Sequence, residues 1–162
     1  MIQTDLFAPA APAPAQRPLE LPEWVPCIAL WWDFAWLVGE GIKALETRGR
    51  LWPYPPGWLV VYATKGRGGA SLRPALPEGV KIPEACPRQA LTCLVWVGGS
   101  RPLLESDRAA ACFYAPGRFA WELSRVHRFK RPVPLAESGM TAAPHSIVYL
   151  ARDVVARALL AT

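Results

Sequence analysis

Lys43, Glu46 and Arg48 are the residues whose types and spacing suggest chemistry. They lie in the stretch A-W-L-V-G-E-G-I-K-A-L-E-T-R, from Ala35 to Arg48. Alternate residues of a strand share a face, so Glu46 and Arg48 fall together and Lys43 falls opposite. A tight turn at Gly41 would free Lys43 from that pleat and swing it toward the other two. Three charged groups this close to an apolar helix suggest a polar pocket rather than a plain surface. The same residues also suit a solvated edge strand with an ordinary, weak ion pair. A lysine acts as a base only where burial or a neighbouring cation lowers its pKa, and Glu46 would instead hold Lys43 protonated.

The elements that must position these groups can be read around them. Pro26 to Trp31 reads as a first strand, followed by a helix from Phe34 to about Glu40 that Asp33 can cap and that ends at Gly39 or Gly41. Leu45 to Gly49 is the second strand. Trp58 to Thr64, W-L-V-V-Y-A-T, and Ala90 to Val97, A-L-T-C-L-V-W-V, are the strongest strands, the latter ended by Gly98-Gly99. Between them, Lys65 to Arg88 is a long connection rich in Gly, Pro and basic residues. It lacks the spacing of a phosphate-binding loop. Arg101 to Pro116 reads as a loop or short helix around Asp107 to Ala111. Arg118 to Phe129 alternates apolar and polar residues as a long strand, closed by K-R-P-V-P. Pro144 then starts a helix to about Leu160, with Ile147, Leu150, Ala151, Val154 and Ala158 as its buried stripe and Asp153–Arg157 as a supporting pair.

The length of 162 residues suits one domain with a tail, and 52% apolar residues suffice for a core. Residues 1–22 form the tail, whose A-P-A-A-P-A-P-A from Ala8 to Ala15 favours extended polyproline II. Residues 23–162 form the domain. Eighteen prolines argue against a long-helix bundle and for short strands, so a small barrel or half-barrel is favoured. The net charge of +5 permits a phosphate backbone as partner. Cys27, Cys86, Cys93 and Cys112 have no C-x-x-C spacing, and only His127 and His145 could join them, so no metal site and no cofactor is expected. The cysteines read as reduced and buried, in a cytoplasmic protein. No signal peptide or membrane span is visible; the most apolar run, Val25 to Val38, contains Pro26 and Asp33.

From Ala29 to Arg48 the sequence resembles the ASCH domain, a branch of the PUA-like superfamily. Gly41, Lys43, Glu46 and Arg48 match its G-x-K-x-x-E-x-R strand. Gly57 to Ala63 and Leu91 to Val97 match later strands. Pro116, Gly117, Phe119 and Trp121 match its P-G-x-aromatic-x-W strand, and Arg128 to Pro134 its basic, proline-bearing segment. The likeness runs from Pro26 to about Gly139. It departs at Trp31 to Ala35, where W-W-D-F-A replaces the family's R-Q-P-W-A, and at Gly139-Met140, where many members have glycine and tryptophan.

The resemblance implies an α+β fold: a small PUA-like β-barrel of five to six strands, a short helix after the first strand and a C-terminal helix. It also implies a cleft between the first helix and the barrel that binds nucleic acid or a nucleobase, RNA rather than DNA, without catalysis. Trp31, Trp32, Lys43, Glu46, Arg48, Lys65, Arg67, Arg118 and Arg128 are the binding residues expected, with cations on phosphates and exposed aromatics on unpaired bases. The alternatives are a small amidohydrolase acting on acylated cytidine, of the N4-acetylcytidine type, or a ribonuclease. Lys43 and Glu46 would then be catalytic. No membrane partner is expected.

Overall fold

In the computed structural model, residues 19–161 are described, so the Ala/Pro stretch 8–15 lies outside them. The chain forms strand β1 (Trp24–Leu30), helix α1 (Trp32–Gly39), β2 (Leu45–Arg48), β3 (Gly57–Ala63), β4 (Ala90–Pro102), the short α2 (Arg108–Ala111), β5 (Phe119–Pro134), β6 (Val148–Ala151) and α3 (Arg152–Leu160). The strands make one mixed sheet in the order β2-β5-β4-β3-β1-β6. Only β1 and β3 pair in parallel.

The sheet carries an apolar layer on each face. Ile28, Leu30, Leu59, Val61 and Val95 pack with Trp32, Phe34, Leu37 and Val38 of α1. Val25, Cys27, Val60, Tyr62, Leu94 and Leu150 pack with Val155 and Ala158 of α3. Strand β3 is covered on both sides, which is why its sequence is continuously apolar rather than alternating. Leu19 and Leu21 pack on the α3 side, whereas Trp24 is exposed.

The α+β class, the six strands, the short early helix and the C-terminal helix are as the sequence implies. The sheet is a curled, open one: β2 and β6 are its ends, and no ladder joins them among the described residues. The curl brings end strand β2 back to β1, where Arg48 donates to the Ala29 carbonyl at 3.1 Å. Beside it the hydroxyls of Tyr54 and Tyr149 meet.

Several boundaries differ from expectation. Helix α1 starts at Trp32, one residue before Asp33, and Trp31 occupies its N-cap without a side-chain bond. Asp33 instead accepts from the Phe34 amide at 2.9 Å, within the first turn, where a carboxylate suits the helix dipole. Strand β4 does not stop at Gly98-Gly99 but runs on to Pro102, because β5 offers partners as far as Phe119. Register shifts at three places along β4 and β5 absorb the mismatch of two long, twisted strands. Likewise K-R-P-V-P continues β5 rather than closing it. The expected helix from Pro144 begins only at Arg152. Val148 to Ala151 are a strand, since the outer edge of β1 needs a partner and pairs Val25 with Leu150. The i, i+3 apolar spacing there imitates a helix, but Leu150 is buried as a strand residue.

All four cysteines are free and buried. Burial pushes the Cys27 thiol well up and Cys93 up to about 12, so both behave as apolar side chains. Among the described residues no helix is long and apolar enough to cross a membrane.

A cleft between helix α1 and the edge of the curled sheet

Gly41 adopts φ +72°, and the Leu37 carbonyl at the end of α1 accepts from both Ile42 (2.9 Å) and Lys43 (3.0 Å). This tight turn, which glycine alone adopts without strain, sends the Lys43 side chain inward under α1. Ala44 then anchors the segment between α2 and β5, its amide donating to Ala110 and its carbonyl accepting from Leu123. Lys43 Nζ donates to the Ala111 carbonyl at 2.5 Å and lies 3.4 Å from Glu46 Oε2. It also sits 5.1 Å from the centre of the Phe34 ring. Glu46 Oε1 lies 3.2 Å from Arg48 Nε, so one carboxylate faces both cations. The lysine is 2% exposed and the glutamate 6%. The arrangement is therefore a buried Lys43–Glu46 pair with the partly exposed Arg48 on its outer side, not a solvated edge.

Burial lowers the Lys43 pKa from its ordinary value, and the Glu46 charge opposes that shift without overcoming it. The sequence predicts a lysine held protonated by Glu46, and the Glu46 charge does act in that direction here. The strand pattern shows the carboxylate but not the depth at which the lysine is buried, and at this depth desolvation is the larger effect.

The triad forms the floor of a cleft of about 320 Å³. Its polar wall is Lys43, Glu46, Thr47, Arg48, Thr64 and Arg118; its apolar wall is Trp31, Phe34, Leu72 and Phe113. Phe34 and Phe113 meet edge to face at 6.2 Å. Arg118 is fixed by donating to the Thr47 carbonyl at 2.8 Å. Of the expected binding residues, the structure thus brings Trp31, Lys43, Glu46, Arg48 and Arg118 together.

The others lie elsewhere. Trp32 is 3% exposed and lies beneath two arginines, Arg88 at 4.1 Å and Arg67 at 5.2 Å from its ring. Arg67 also faces Asp33 at 3.8 Å. Lys65 is exposed on the long loop, outside the cleft lining. Arg128 pairs with Glu40 beyond the far end of α1, beside a separate groove of about 150 Å³. Arg125 covers Trp58 and Trp96 on the α3 side. The basic residues in and after β5 therefore do not form one patch, since residues along a strand alternate between faces.

Sequence reasoning missed Phe34, Leu72 and Phe113 as cleft residues. For Leu72 a signal exists: it is an apolar residue in a long polar loop, and Gly68 lies close by. A Cβ on Gly68 would stand 2.5 Å from the Trp31 ring and 2.7 Å from the Leu72 Cβ, so glycine lets the loop press on both. Phe113 carries no comparable signal.

No protein-family model matches the chain, and no curated protein does. Solved structures do. ASCH from Zymomonas mobilis superposes with a TM-score of 0.58 at 16% identity, over 85% of this chain and 94% of that one. A serine-to-alanine variant of the same protein gives 0.56 at 15% identity, over 83% and 94% of the two chains. A tyrosine-to-phenylalanine variant gives 0.53 at 15%, over 85% and 97%. The chain thus has the fold of an ASCH domain along nearly the whole length of these structures.

Proposed function

We propose that this protein is an ASCH-type nucleic-acid-binding domain that holds an unpaired nucleobase of RNA in the cleft, without catalysis. The observation that carries this reading is one small cleft whose lining combines aromatic and aliphatic side chains with charged ones. An unpaired base presents a stacking face and a polar edge, and such a cleft matches both. Trp31, 37% exposed, supplies the stacking surface. Glu46 and Arg48 face the polar edge, and Lys43 holds Glu46 from behind. RNA is favoured over DNA because its loops and ends offer unstacked bases. The four free thiols fit a reducing cytoplasm.

A second reading, hydrolysis of an acylated cytidine, is favoured by the lowered pKa of Lys43 beside the cleft. Against it, Nζ is already held by Ala111 and Glu46. A ribonuclease has less support, as neither histidine lines the cleft.

The test is a tryptophan-fluorescence titration with short single-stranded RNA, its DNA counterpart, a duplex, cytidine and N4-acetylcytidine, with the same mixtures assayed for product. Salt-sensitive binding of the single strand without product is expected, and Trp31→Ala weakens it about tenfold, within the range for base stacking. Turnover of N4-acetylcytidine would establish the second reading instead.

A further inference from the structure

We infer that Arg118 makes the cleft select a ligand carrying a phosphate, a nucleotide or nucleotide unit rather than a neutral nucleoside. This rests on the nucleobase reading above and adds the charge of the ligand to it. Two guanidiniums border the cleft, and each is fastened at one end. Arg118 donates through one terminal nitrogen to the Thr47 carbonyl, and Arg48 does the same to Ala29. In both, the Nε–H is shut away from solvent and has no hydrogen-bond acceptor. Arg48 Nε lies near Glu46 but is misaligned for a bond to it. What each guanidinium leaves free is its other terminal nitrogen, Nη1, which makes no hydrogen bond among the described residues and is not shut away from solvent.

The charges agree. Among the described residues Glu46 is the only carboxylate of the lining, and it already faces Lys43 and Arg48. Arg118 makes no ion pair among the described residues; Asp107 and Glu122 face Arg101 instead. Arg118 is therefore a fixed, unneutralised cation whose planar fork suits phosphate oxygens. The apolar wall takes the base, and the phosphate attached to it accepts from the free Nη1 of Arg118.

The experiment is a calorimetric titration of the whole protein. The ligands are the four ribonucleoside 5′-monophosphates, the four matching nucleosides and dinucleotides with one internal phosphodiester. For the base that binds best, the monophosphate or the dinucleotide is expected to bind at least about tenfold more tightly than the nucleoside, as for one charge-assisted contact. Preference for the monophosphate assigns a strand end, and preference for the dinucleotide an internal phosphate. Arg118→Gln should shrink the ratio below about threefold. Because the ratio compares ligands within one variant, a general loss of stability does not move it. Inorganic phosphate should displace the nucleotide from the unaltered protein, a readout that needs no variant. Equal affinities for nucleotide and nucleoside, or no competition by phosphate, would overturn the inference and leave base recognition standing. No binding of nucleotide, nucleoside or short RNA would overturn both.

Discussion

Lys43 meets a carbonyl oxygen, a carboxylate and an aromatic face in a site that water barely enters. Removing one member of such a set leaves another charge buried without its partner. Lys43→Ala should therefore cost about 3–5 kcal/mol in denaturant unfolding. Adding Glu46→Gln to it should recover part of the loss, because the stranded carboxylate is gone. A loss below about 1 kcal/mol would show the triad to be no more than a surface ion pair. Lys43 lines the cleft with Arg48 and Arg118 but is the most deeply buried of the three. The grouping of Lys43, Glu46 and Arg48 was legible because a glycine at the right place can break the pleat. The depth of Lys43 was not, since it depends on Ala111, far along the chain.

At the scale of elements, the long connection between β3 and β4 and the segment before α3 carry the lessons. The connection contributes Leu72 to the cleft, and Gly68 is the point where it touches Trp31. Gly68→Ala would drive a methyl group into that ring, so it should cost about 1–3 kcal/mol or displace the loop, and weaken RNA binding with it. Unchanged stability and unchanged affinity would mean that the loop is no part of the site. Strand β6 was hidden because Ile147, Leu150, Val154 and Ala158 also satisfy a helical period. The edge of β1 decides the matter. Leu150→Ala should cost about 2–5 kcal/mol, as a fully packed core position does. A cost near zero in thermal or denaturant unfolding would contradict the placement of Leu150 against Val25.

At the scale of the molecule, one curled sheet is packed by α1 on one face and α3 on the other, and the cleft lies where the curl brings β2 toward β1. Short strands, prolines and the motif order made the α+β class and this general shape legible. Which form of the barrel or half-barrel is realised was not, because it turns on pairings between residues distant in sequence. Nor was the scattering of the basic residues to both sides of the sheet, which depends on the bulges that set their faces. The proposed function requires that the α1 cleft, rather than the basic length of β5, receive the nucleic acid. Nuclear magnetic resonance of the labelled protein, titrated with a short single-stranded RNA, tests this most directly. Shifts are expected at the Trp31 indole and at the amides of Thr47, Leu72, Phe113 and Arg118, with Trp58 and Trp96 unmoved. Shifts confined to Arg125 through Arg131, or none at all, would contradict it.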